Sequence, residues 1–152
     1  MAKLSDASLD FARAHIIAFY DSDFFPKADE FVALWENWAE VKAYLSASNV
    51  EKLHIELPRS MPATKHHGGY RIVHQLEPLT AVVYTALAHM VAADVEAARS
   101  SRASETVFSY RIALSADNFF SAGNGYPEFA DRCRTLASVS QYVMVADIAE
   151  YL

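Results

Sequence analysis

Behind Pro78, the residues Leu79, Val82, Val83, Ala86, Leu87 and Met90 recur at three- and four-residue steps, and the pattern runs on towards Arg99. That stripe predicts a long helix with one apolar face, and proline is tolerated in its first turn. Two earlier stretches share the spacing: Leu9, Ala12, Ile16 and Phe19, then Phe31, Leu34, Trp35, Trp38, Val41 and Leu45. Both read as amphipathic helices, joined by the turn-forming residues 21–26. The two tryptophans read as anchors of a core.

Between these helices and the long one, the period changes. Leu53, Ile55 and Leu57 alternate before Pro58, and Tyr70, Ile72 and His74 alternate with Arg71 and Val73 after Gly68-Gly69. The expectation is an extended segment, a glycine turn and a returning strand. Beyond the long helix come a polar connection, a strand-like run over 106–112, and a helix opened by Pro127 that carries Cys133 as a small buried side chain. The apolar run over 142–148 suits a buried strand. The order of elements is α+β, and 152 residues suffice for one compact core without an independent second domain.

Composition bounds the setting. Hydrophobic residues make up 53% of the chain and charged residues 21%, which excludes a disordered tail. A single cysteine excludes an internal disulfide framework and a thiolate zinc cluster. No long apolar leader opens the chain and no apolar run approaches the roughly 20 residues needed to cross a bilayer, which points to a cytoplasmic protein with no membrane partner. The formal charge of -6 argues against a nucleic-acid partner until its distribution is considered. Residues 52–76 carry Lys52, Arg59, Lys65 and Arg71 against Glu56 alone, whereas both flanking regions are acidic.

Three groups of residues in this pattern could carry chemistry. Asp147 stands at the end of the last apolar run, where a carboxylate needs a cation or strong hydrogen bonds; it reads either as a ligand for a hard divalent ion or as the cap of a following turn. Lys65 and Arg71 flank the glycine turn and could grip a triphosphate, or could simply keep an exposed hairpin soluble. Register decides between cooperation and separation. A two-residue Gly68-Gly69 loop sets Lys65 on the face opposite Arg71, whereas loops over 67–69 or 66–70 pair the two cations directly. His54, His66, His67 and His74 also fall in this stretch, but adjacent His66 and His67 point to opposite sides of a strand, which disfavours a metal site.

Taken in order, these segments resemble the N-terminal part of a bacterial reverse transcriptase, in particular the proteins of abortive infection and phage defence. Asp21-Ser22-Asp23-Phe24-Phe25-Pro26 with Glu30-Phe31 is similar to that family's opening segment. Lys65 through Arg71, continuing to Leu79, resembles the first fingers motif and its helix. Glu96 to Arg99 with Phe108-Ser109-Tyr110-Arg111 resembles the helix end and the second fingers motif, and residues 142–148 resemble the first palm motif. The resemblance implies N-terminal helices over 1–50, a fingers-like region over 51–140 and the start of an incomplete palm over 141–152.

It also implies roles. Lys65 and Arg71 would contact the phosphates of an incoming dNTP. Asp147, with the backbone carbonyl of Ile148, would hold Mg²⁺ in a two-metal nucleotidyl transfer to a primer 3′-hydroxyl. RNA template, DNA primer and dNTP are the implied partners. The chain lacks a Tyr-x-Asp-Asp segment, and Leu152 with Tyr151 stands where an aromatic often screens the sugar 2′-hydroxyl. A fragment inactive by itself is therefore expected; the alternative is a non-catalytic nucleic-acid-binding or assembly module.

Overall fold

The computed structural model of the chain describes residues 3–20, 25–65, 68–99, 108, 110–120 and 125–144. Helix α1 (Asp6–Phe19) starts where Ser5 accepts the Ser8 N–H at 3.1 Å, with Asp6 in its first turn. That is a serine N-cap with an acid on the positive end of the helix. Leu9, Ala12 and Ile16 are buried along one side, together with Ser8 and Phe11.

The second stripe forms two helices rather than one: α2 (Glu30–Glu36) and α3 (Trp38–Ala47). The break falls at Asn37, whose φ of -110° and ψ of 29° leave the helical region. Its side-chain amide and its backbone N–H both donate to the Ala33 carbonyl, at 2.9 and 3.2 Å. Asparagine disfavours helix interiors for this reason, since its side chain competes for backbone partners. Trp38 is buried as expected, and Trp35 packs at the edge of the core. Arg13 lies over both indoles, 5.9 and 5.6 Å from their centroids.

Helix α4 (Pro78–Ala97) is the long helix expected from the sequence, and it packs chiefly on α1. Val82, Val83 and Ala86 meet Leu9, Ala12 and Ile16, and Phe31, Trp38 and Leu45 close the cluster. Its 20 residues are also long and apolar enough to cross a bilayer by length and composition, contrary to the expectation that no apolar run approaches that length.

A short 3₁₀ turn (Val50–Lys52) leads to the one sheet among the described residues, an antiparallel pair of β1 (Arg59–Thr64) and β2 (Tyr70–Gln75). The extended segment expected at 53–57 is outside the pairing, with Ile55 and Leu57 exposed. The strand begins after Pro58 and includes Pro62. Met61, Ala63, Val73 and Gln75 form the covered face, while Ser60, Pro62, Thr64, Tyr70, Ile72 and His74 face outward.

Past α4, Ile112 and Phe120 form an isolated antiparallel bridge, tightened by Ala113 N–H to the Phe119 carbonyl at 2.8 Å. Phe119 enters a cluster with Phe11 and His15 of α1 and His89 of α4, its ring centroid 4.8, 4.9 and 6.5 Å from theirs. Helix α5 (Tyr126–Val139) follows Gly125, whose φ of 119° favours glycine and where a Cβ would meet the Tyr110 ring at 3.1 Å. No residue of α5 is buried, and Cys133 is exposed, contrary to the expected core position. Tyr142, Val143 and Met144 are exposed and outside any strand. The rest of the expected strand over 142–148 lies outside the described residues, as do 106, 107 and 109 of the expected strand over 106–112; of the described part of that run, Ile112 pairs in the isolated bridge and Phe108, Tyr110 and Arg111 are in no strand.

Candidate functional site

The chain enters β2 from the hairpin turn through two glycines in the left-handed region, Gly68 at φ 86° and Gly69 at φ 77°. An added Cβ at either would meet nothing within 4 Å, so backbone conformation and not space selects glycine here. The Lys65 N–H donates to the Gly69 carbonyl at 3.1 Å, and the Gly68 N–H to the Lys65 carbonyl at 3.2 Å. The closing pair is therefore Lys65 opposite Gly69, and Ala63 stands opposite Arg71.

Neither expected register forms. Lys65 and Arg71 share one face, unlike the outcome of a two-residue loop, yet they are diagonal neighbours and not a direct pair. Diagonal positions on an antiparallel pair stand roughly 7–8 Å apart, within the reach of two long side chains converging on one polyanion. Both cations are exposed. His66 and His67 lie outside the described residues. His74 is bonded to the Ser60 hydroxyl at 2.8 Å and His54 to Glu56 at 3.2 Å.

Arg59 ties the base of the hairpin to the helices, its Nε 3.0 Å from Glu77 and its Nη2 3.8 Å from Glu30. Of the four cations in the basic segment, this one serves the scaffold.

A second polar centre joins the end of α4 to residues 110–112. Glu96 accepts from the Arg111 guanidinium, from the Ile112 N–H at 3.0 Å and from Arg99 at 3.4 Å, while Arg99 donates to the Tyr110 carbonyl at 2.9 Å. The Ile112 N–H, followed by Arg111, holds the Glu96 carboxyl below its ordinary range. Two segments that were linked only by a likeness in sequence, 96–99 and 108–111, are thus bonded to each other. Neither helical nor strand periodicity signals that pairing, because the partners are 15 residues apart and the connection between them has no pattern.

A third feature is an open groove of about 340 Å³ between the C-terminal half of α1, the start of α4 and β2, lined in part by His15, Phe19, Tyr20 and Leu76. Gln75 crosses it, donating to the Tyr20 hydroxyl at 2.6 Å and to the Pro26 carbonyl at 3.2 Å.

Asp147 and Ile148, the metal-holding positions implied by the resemblance, lie outside the described residues, as does Leu152. Among the described residues no group of three or more His, Cys, Asp or Glu side chains could hold a metal ion. No protein-family model, curated protein or solved structure matches the chain.

Proposed function

We propose that the chain is the fingers and the start of the palm of an RNA-directed DNA polymerase acting in antiviral defence, in the cytoplasm, on an RNA template, a DNA primer and dNTP. The observation that carries this reading is the pair of exposed cations, Lys65 and Arg71, on one face of a glycine-tipped hairpin. A lysine point charge and an arginine fork suit the oxygens of a triphosphate. The Glu96–Arg99–Arg111 centre supports it by anchoring residues 110–112 to the helix that follows the hairpin.

In this reading Lys65 and Arg71 bind and orient the triphosphate, and Asp147 with the Ile148 carbonyl holds Mg²⁺. When bound, Mg²⁺ lowers the pKa of the primer 3′-hydroxyl and neutralises charge on the departing pyrophosphate. A second reading, a non-catalytic assembly module, draws on the exposed apolar residues of α5.

Primer extension on an RNA template by the protein expressed from its whole reading frame tests the proposal. Asp147→Asn is expected to abolish incorporation. Lys65→Ala and Arg71→Ala are each expected to lower kcat/KM for dNTP by about 10- to 100-fold, the worth of one charge-assisted hydrogen bond. No incorporation by the unaltered protein, or full activity in Asp147→Asn, overturns the enzyme reading and leaves the assembly module.

A further inference from the structure

One face of the hairpin runs from its base to its turn. Side chains alternate along a strand, so Arg59, Met61, Ala63 and, one residue beyond β1, Lys65 share a side with Arg71, Val73 and Gln75 of β2. Lys65 and Arg71 stand towards the turn, and Arg59 stands opposite Gln75 in the first pair of the ladder. That first pair is bonded outward to three helix ends. The Arg59 Nε lies 3.0 Å from Glu77, the residue before α4, and its Nη2 lies 3.8 Å from Glu30, the first residue of α2. The Gln75 amide donates to the hydroxyl of Tyr20, the residue after α1, at 2.6 Å and to the Pro26 carbonyl at 3.2 Å.

We infer that Arg59 and Gln75 are positioning residues for the triphosphate site: their bonds fix the angle at which the hairpin leaves the helices, and through it the place of Lys65 and Arg71. The inference rests on the reading of those two cations as phosphate ligands. Between base and turn the shared face is apolar, and Ala63 alone of the two strands is buried. Apolar burial is non-directional and tolerates a range of tilts, whereas hydrogen bonds and ion pairs at the base select one. Leverage makes that selection matter. At about 3.3 Å per residue Lys65 stands roughly 20 Å along the strand from Arg59, so a tilt of about 10° at the base moves it by about 3.5 Å. A charge-assisted hydrogen bond does not survive a displacement of that size.

The two halves of the base differ in kind. Arg59 binds carboxylates and its side chain is 54% exposed, so salt screens its hold. Gln75 is neutral and binds a hydroxyl and a carbonyl, and salt leaves its hold in place. A chain that keeps only Arg59 therefore has a hairpin angle that loosens with ionic strength, and a chain that keeps only Gln75 does not.

Spin labels at Thr64→Cys, near the turn, and at Tyr84→Cys, on the exposed side of α4, read this angle without nucleotide once Cys133→Ser has removed the native thiol. The labelled full chain should give one narrow distance distribution. Arg59→Ala and Gln75→Ala should each broaden it by about 2–3 Å, the lever displacement expected at Thr64, and Arg59→Lys, which keeps the ion pair, should recover most of the narrowness. Raising salt from about 0.05 to about 0.5 M should broaden the Gln75→Ala distribution further and leave that of Arg59→Ala unchanged. In primer extension by the protein expressed from its whole reading frame, Arg59→Ala should raise KM for dNTP about 10-fold with kcat within about twofold. Because it acts through the hairpin cations, it should cost less in a Lys65→Ala background than alone. Distributions as narrow in both alanine variants as in the labelled parent, a broad distribution in the parent, or losses from Arg59→Ala and Lys65→Ala that simply add overturn the inference. The expected broadening in a protein that incorporates no nucleotide upholds control of the hairpin angle by its base and overturns only the polymerase reading.

Discussion

Helices α1 and α5 are each 14 residues long and meet opposite fates: five residues of α1 are buried and none of α5. Both are amphipathic. The difference is the partner. Leu9, Ala12 and Ile16 of α1 face a long helix with matching small and branched residues, whereas Phe129, Leu136 and Val139 of α5 face solvent. Within α5 the visible support is local, an Asp131–Arg134 pair one turn apart and a Thr135 hydroxyl on the Asp131 carbonyl. Periodicity specifies that a helix has a side to bury, and only the rest of the fold decides whether it is buried.

Core substitutions break this comparison most forcibly. Leu9→Ala removes a fully buried side chain at the α1–α4 contact and is expected to cost roughly 2–5 kcal/mol in urea unfolding. Leu136→Ala, on the exposed face of α5, is expected to change stability by no more than about 0.5 kcal/mol. An equal loss from both would show that α5 is covered in solution.

Acid separates the two regions next. His89 is held below its ordinary pKa by burial against Phe11 and near Phe119. Its depressed value means the unfolded chain binds the proton first, so its contribution is present above about pH 6.5 and is lost as pH falls below that. His89→Phe is expected to remove this part of the stability–pH slope between about pH 7 and 5.5. Glu96, also depressed, keeps its contribution above the ordinary carboxylate range and loses it at still lower pH. Glu96→Gln weakens the attachment of residues 110–112 to α4, and the Ile112 amide should then exchange with deuterium faster while amides in the middle of α1 do not change.

What the sequence disclosed follows the same division. The α1 and α4 stripes and the glycine turn were legible because each is a local pattern with a local cause: apolar spacing for the helices, positive φ for Gly68 and Gly69. The split at Asn37 was open to the same kind of reading, since an asparagine amide that bonds back one turn is a known helix breaker. The hairpin register was harder, because Pro58 and Pro62 obscure where β1 begins and the loop length alone sets which side chains oppose. That ambiguity moved Lys65 and Arg71 from direct partners to diagonal ones. Burial of Cys133 was misjudged because apolar neighbours in sequence imply a face but not a partner. The Glu96–Arg111 contact was invisible to pattern, being a charge pair across a connection of irregular composition.

A small charge effect at the rim of the core gives a sharp control. Asp10 on α1 accepts from the Trp38 indole at 2.9 Å and from Lys42 at 3.0 and 3.2 Å, joining α1 to α3 at the rim of the core. The indole bond, then Lys42, lowers its pKa against an opposing desolvation. Its side chain is 53% exposed, so water screens most of that attraction. Asp10→Asn keeps an acceptor for the indole and removes only the charge, and it should cost less than about 1 kcal/mol. Asp10→Ala removes the acceptor as well and leaves the Trp38 N–H, on a residue only 8% exposed, to find water or go without. The alanine variant should therefore lose more than the asparagine variant, with the excess insensitive to salt while the asparagine loss shrinks as salt rises. If both losses vanish together in salt, the α1–α3 contact is held by charge alone, and the rim of the well-packed region behaves like the exposed pairs of α5.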